Sequence, residues 1–267
     1  MSSPSQRRKR GLRSFAEVMT VAAPNDTSPA IASGLIDFVF AEIWTRPGLS
    51  RRDRRFVTLA CVAGADTTSV LEQHVYAALN SGDLTITEMR ESVLHFAVYA
   101  GWPKASQFNM VVDAQWERIA RERGDSAPAP SLLPPLPTPS EPEARLAGGE
   151  EAFRQINCLP FAPSRDNPYS GAGILNFVFG EMWLRPGLGM KERRLITMAC
   201  VGFQDAQYPI MSHVYAALKS GDISFQEMDE LALHFAAYYG CSKRPISTKS
   251  SPSKSNVSST RPAPRPR

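Results

Sequence analysis

Four histidines occur in the chain, and the sequence pairs them: His74 with His213 and His95 with His234, each pair 139 residues apart. Histidine has the side-chain pKa closest to neutrality, so it is the first candidate for acid–base work. The same offset pairs Glu42 with Glu181, Trp44 with Trp183, Arg46 with Arg185, Arg54 with Arg193 and Asp66 with Asp205. Glu88, Glu91, His95 and Tyr99 follow at spacings of 3, 4 and 4, which places them on one polar face of a predicted helix. That set returns as Glu227, Glu230, His234 and Tyr238. Two readings of the face stand side by side. It is a solvated face or a seam between modules, or it is a cleft where a histidine moves a proton and a carboxylate sets its tautomer.

Other chemistries find less support. His74 and His95 stand 21 residues apart on different predicted helices, and no HxxxH, CxxC or ExxH spacing is present, so no metal site is expected. No phosphate-cradling glycine loop and no GxSxG occurs. Cys61 and Cys200 lie in apolar runs (LACVAG and MACVGF) and read as buried core thiols, while Cys158 and Cys241 have no counterparts. With no apolar leader visible, the four cysteines fit a reducing, cytoplasmic setting. No apolar run approaches the ~20 residues that cross a membrane.

The elements that must position these residues come from a tandem repeat. FVFAEIWTRPGL (38–49) returns as FVFGEMWLRPGL (177–188), HVYAALNSGD (74–83) as HVYAALKSGD (213–222), and LHFAVYAG (94–101) as LHFAAYYG (233–240). Across 38–101 and 177–240, 34 of 64 positions are identical without a gap, so the chain is a duplication of one module. Apolar periodicity makes the module all-α. A helix over 35–45 is stopped by Pro47-Gly48. Ser50 with Asp53, and Thr85 with Glu88, open later helices as capping pairs, and Pro103 suits the first turn of a fifth. The expected divisions are a basic N-terminal segment and lead-in at 1–30, a first module at 31–123, a proline-rich semi-rigid linker at 124–149, a second module at 150–240, and a basic tail at 241–267.

Charge follows that division. The chain carries +4 overall, but residues 1–13 and 241–267 hold twelve basic residues and no acid, leaving −8 on residues 14–240. An acidic body repels phosphate, so nucleic acid is not an expected partner. Two readings of the tail stay open. It is a natural disordered tail, or an out-of-frame translation. With synonymous codons chosen, one base inserted after the Lys243 codon yields Lys-Ala-Ser-His-Leu-Asn-Glu-Val, close to residues 104–111. The second reading leaves the second module without its last helix and an apolar groove uncovered.

The blocks E-x-W-x-R-P-G-L, H-V-x-x-A-L-x-x-G and E-x-x-L-H-x-A-x-Y-x-G-x-P occur in order over 38–116, with most of them repeated over 177–240. This combination resembles the carboxymuconolactone decarboxylase family, which is similar to the alkyl hydroperoxidase D-like superfamily of small all-α modules that assemble into oligomers. The resemblance implies either of two chemistries. Peroxidase-type members carry C-x-x-C before the helix-3 histidine. Here those positions are Thr67 and Val70, and Ala206 and Pro209, so disulfide exchange has no thiol pair. The decarboxylase branch lacks the cysteines, as this chain does.

The resemblance thus implies cofactor-free decarboxylation of a small unsaturated lactone acid, γ-carboxymuconolactone or a related intermediate of aromatic degradation. Losing CO₂ pushes an electron pair into a conjugated carbonyl, which needs a donor at its oxygen and an acid at carbon. His74 and His213 are assigned proton delivery, Glu42 and Glu181 their orientation, and His95 and His234 secondary donation. Arg46 and Arg185 are assigned the substrate carboxylate, with Trp44, Trp183, Tyr99 and Tyr238 lining the site. The tandem pair is expected to mimic a dimer about a pseudo-twofold axis, and three chains a hexamer. The rival expectation is a non-catalytic oligomeric or ligand-binding member.

Overall fold

The structure, a computed structural model, describes residues 3–124 and 133–241. The first module runs α1 (Pro4–Met19), a wide helix π1 (Ala30–Ile43), α2 (Arg51–Gly64), α3 (Thr68–Asn80), α4 (Ile86–Ala100) and α5 (Trp102–Glu122). The second repeats α6 (Pro142–Asn157), π2 (Tyr169–Phe179), α7 (Met190–Phe203), α8 (Gln207–Ser220) and α9 (Phe225–Tyr239). No strand occurs among the described residues, and the architecture is the all-α pair of modules that the periodicity predicts. None of the described helices is long and apolar enough to cross a membrane.

Local chemistry accounts for the boundaries. Ser50 and Asp53 cap each other's backbone at the start of α2, as Thr85 and Glu88 do for α4 and Ser224 and Glu227 for α9. Asp66 and Asp205 end α2 and α7 in the left-handed region, with φ of 55° and 54°. A short side chain that bonds locally tolerates that conformation, so this retained acidic pair has a backbone reason. Cys61 and Cys200 are fully buried, and burial pushes both thiols up.

Two segments differ from expectation. The basic N-terminus is helical from Pro4, because Ser3 and Gln6 form a capping box and Phe15, Val18 and Met19 bury one stripe against π1. The predicted linker ends early, because Pro142 sits at the first turn of α6, a position where proline starts a helix. These helices are copies of each other. Both end on a left-handed residue, Thr20 and Cys158. A Cβ on Gly11 or Gly149 would strike the carbonyl oxygen of Ile36 or Leu175. Their offset is 138, one residue out of step with the rest of the repeat. Residues 125–132 of the linker, and 242–267, where the out-of-frame reading falls, lie outside the described residues.

The modules meet along an approximate twofold. Helix α2 packs on α7, while α9 crosses onto α2 and α4 onto α7. Reciprocal ion pairs close the seam: Arg52 bridges Glu88 and Glu192, and Lys191 bridges Asp53 and Glu227.

Candidate active site at the module seam

The polar face of α4 faces the other module, and so does that of α9. Glu91 takes both arms of Arg185 (2.7 and 2.9 Å), and Glu230 takes Arg46 (2.5 and 2.8 Å). The glycine after each Arg-Pro makes room for this. A Cβ on Gly48 would lie 2.2 Å from Glu230, and Gly187, at φ +97°, stands against Glu91. The R-P-G-L block is therefore an inter-module clasp.

Behind the clasp runs a buried relay. Arg193 Nη1 donates to His95 Nδ1 (3.3 Å), which leaves the ring proton on Nε2 to donate to Thr197 Oγ1 (2.8 Å). The Thr197 hydroxyl bonds Tyr99, whose phenol oxygen also accepts from Trp183 Nε1 at 2.9 Å. The Tyr99 O–H points either back to Thr197 or towards a group in the site. The twofold mate has Arg54 on His234 Nδ1 (3.2 Å), His234 Nε2–H on Thr58 Oγ1 (2.7 Å), and Trp44 Nε1 on Tyr238 (2.7 Å). Thr58 bonds Tyr238 in turn. Each tyrosine abuts the helix-3-type histidine of the other module: Tyr99 and His213 lie 5.5 Å apart between ring centres, as do Tyr238 and His74. Each site is thus composite, taking a histidine, tryptophan and threonine from one module and a histidine–tyrosine pair from the other.

One of the two opens onto a cavity of about 470 Å³. Tyr99 and His213 line it, with apolar walls from Phe153, Ile174, Val178 and Phe179. The remaining polar groups, Asn157, Gln204, Ser212, Tyr169 and Tyr208, are uncharged. Among the described residues, no Asp, Glu, Lys or Arg side chain lines it.

The model of the carboxymuconolactone decarboxylase family matches residues 29–114 and 168–244, more than half of the sequence and once per module. The chain belongs to this family. It is 32% identical over 108 residues to 4-carboxymuconolactone decarboxylase from Acinetobacter baylyi, covering 38% of this chain and 80% of that protein. It is 36% identical over 77 residues to nitrosuccinic acid decarboxylase npaB from Metarhizium robertsii, covering 29% of this chain and about half (53%) of that protein.

In this family member the residues singled out from sequence fall into three groups. His213 and Tyr99 come together at the cavity, beside Trp183. His74, Tyr238 and Trp44 repeat the cluster without lining that cavity. His95 and His234 are fully buried links of the relay. The structure gives the other four different surroundings. Arg46 and Arg185, read as binders of the substrate carboxylate, are engaged by Glu230 and Glu91. Glu42 pairs with Arg7, Glu181 with Arg185 and Arg145, and neither is hydrogen-bonded to a histidine. Sequence reasoning left open which module supplies which residue of a site, and the seam exchanges helices α4 and α9.

Thr58 and Thr197 were not singled out, and neither were Arg55 and Arg194 as a functional pair. All four are identical between the copies at the 139 offset, which is the signal that could have found them. Arg194 is buried, held by Asp222 and the Ile156 carbonyl, with its guanidinium 5.1 Å over the Trp183 ring. Arg55 has the same arrangement with Asp83, the Val18 carbonyl and Trp44. Burial, and then the charge of Arg194, pushes His213 down to about 3, and burial with Arg55 does the same to His74. His95 and His234 are held well below the usual range by burial and by Arg193 and Arg54. Burial pushes Tyr99 and Tyr238 up, so both phenols keep their protons. The Nδ1 atoms of His74 and His213 are buried with no hydrogen-bond partner.

Proposed function

We propose that this protein decarboxylates a small organic acid whose carboxylate lies next to an electron-accepting group, with γ-carboxymuconolactone or a related lactone acid as the leading substrate. The observation that carries the reading is the second-module cavity, where a buried histidine and a tyrosine phenol meet uncharged walls. A conjugated carbonyl is itself the sink for the electron pair, so the reaction needs no cofactor. A nitro group serves as the same kind of sink, which is consistent with the named substrates of both relatives.

The chemistry divides among few groups. The departing carboxylate meets Phe153, Ile174, Val178 or Phe179 rather than a cation, so ionic pairing does not hold it in the ground state. As the bond to CO₂ breaks, its electron pair moves into the conjugated carbonyl, and the Tyr99 O–H donates to the oxygen where charge grows. The relay and Trp183 fix the orientation of that phenol. His213 then gives a proton to carbon. Burial keeps His213 neutral, and the negative charge that grows on the conjugated system as CO₂ leaves favours the imidazolium. The site therefore takes up one proton from solvent in each turnover and transfers that proton to the product.

Turnover of γ-carboxymuconolactone, followed by its ultraviolet absorbance and by CO₂ release, tests the reading. Conversion that falls at least about a hundredfold in His213→Gln is expected. No conversion by the wild type of this or any related lactone acid would favour the ligand-binding reading instead.

A further inference from the structure

The two composite sites share their inner residues but not their outer walls. In the second, Asn157 ends α6, bonds the Phe153 carbonyl through its own Nδ2 (2.9 Å) and forms part of the cavity wall. Its counterpart at the end of α1 is Met19. The match is fixed by the left-handed caps that follow and by the equivalent bonds from Arg194 to Ile156 and Arg55 to Val18. Met19 is 3% exposed and packs with Phe15, Phe40 and Trp44 in a cluster that Tyr238 touches. Phe15 is buried there, whereas Phe153 stands half-buried at the cavity. On the α3 wall, Gln73 replaces the smaller Ser212.

Beside the first site lies a pocket of about 160 Å³. It is lined by Met19, Val21, Ser69, Glu72, Gln73 and Tyr76, with Gln115 and Arg118 of α5, a helix with no counterpart among the described residues of the second module, and reaches neither His74 nor Tyr238. A ligand there touches neither of the reacting groups, whereas in the second site the cavity brings it onto His213 and Tyr99 directly.

We infer that the two sites have divided: each chain takes one acid ligand, at the His213–Tyr99 site, and the residue ending the first helix of each module decides this, Met19 closing its site and Asn157 opening the other. This rests on the proposed acid substrate, though not on its turnover. Met19→Asn is a balanced exchange, because an Asn there can bond the Phe15 carbonyl four residues back as Asn157 bonds Phe153.

The test is calorimetric titration of the full chain with 5-oxotetrahydrofuran-3-carboxylate, a saturated lactone acid with no conjugated carbonyl to receive an electron pair. The wild type is expected to bind one molecule per chain, Met19→Asn two, and Asn157→Met none. Should Asn157→Met fail to fold, Ser212→Gln, which copies Gln73 into the same wall, is expected to weaken binding at least about tenfold. Two molecules on the wild type, one on Met19→Asn, undiminished binding by the wall variants, or no binding by the wild type would each overturn the inference. One-to-one binding without turnover of γ-carboxymuconolactone would defeat the decarboxylase reading and leave the division of sites standing.

Discussion

The seam and the outer walls of this molecule have diverged at different rates. At the seam, every link of the relay has its mate: Arg193 and Arg54, His95 and His234, Thr197 and Thr58, Tyr99 and Tyr238, Trp183 and Trp44. The outer walls are mixed: Phe153, Val178 and Phe179 keep their mates in Phe15, Val39 and Phe40, while Asn157 stands against Met19, Ser212 against Gln73, Tyr208 against Ser69 and Pro209 against Val70. The buried relay leaves little freedom, since losing one partner strands a polar group in a dry interior. A cavity wall has no such obligation. Symmetry at the seam therefore reports stability and orientation, and asymmetry at the wall reports which copy meets substrate.

The largest effect expected is on turnover. His213→Gln should lower kcat by about 10²–10⁴-fold, while His74→Gln stays within about twofold. Equal losses would erase the distinction between the walls. Tyr99→Phe comes next, at roughly 10²-fold in kcat with KM little changed, against almost no change for Tyr238→Phe. Because the two relays match, a comparable loss in Tyr238→Phe would mean that the first site also turns over.

Stability should respect the symmetry that activity ignores. Arg185→Gln and Arg46→Gln each leave a nearly buried glutamate short of its partner, and each should cost about 1–3 kcal/mol in urea unfolding. A difference beyond ~1 kcal/mol between them would show that the clasp has diverged too.

The pH slope of stability should be symmetric as well. His74 and His213 titrate near 3 in the folded protein and at about 6.5 when unfolded. The unfolded chain thus binds more protons between these values. Stability is full above about pH 6.5 and falls as the pH drops towards 3, by about 1.4 kcal/mol per pH unit for each such histidine. His74→Gln and His213→Gln should flatten the slope equally in denaturant titrations across that window.

Much of this was legible in the residues. The gap-free repeat and the capping pairs Ser50–Asp53 and Thr85–Glu88 are local signals, and they located the α2 and α4 starts where the structure has them. The shared face of Glu91, His95 and Tyr99 was visible too, with a seam among its readings. What sequence could not supply was the partner. Period along one helix says which side chains face together, not which module they meet, so the exchange of α4 and α9 was out of reach. Helix α1 was hidden for another reason. Its basic residues look solvated, yet Arg8 reaches Asp37 and Arg7 reaches Glu42. The one-residue slip relative to the 139 offset also broke its match with α6.

The exchange of helices across the seam changes what the duplicate is for. A silent copy of a gene segment is ordinarily free to decay, and a closed site looks like the start of that decay. Here the first half cannot be lost, because it lends His95 and Tyr99 to the site built on the second. On this reading, substitutions on the Met19 side of that half leave the second site intact, whereas those on its α4 face reach it. The redundant module has become a fixed subunit of its own twin, inherited on the same chain and always present one for one.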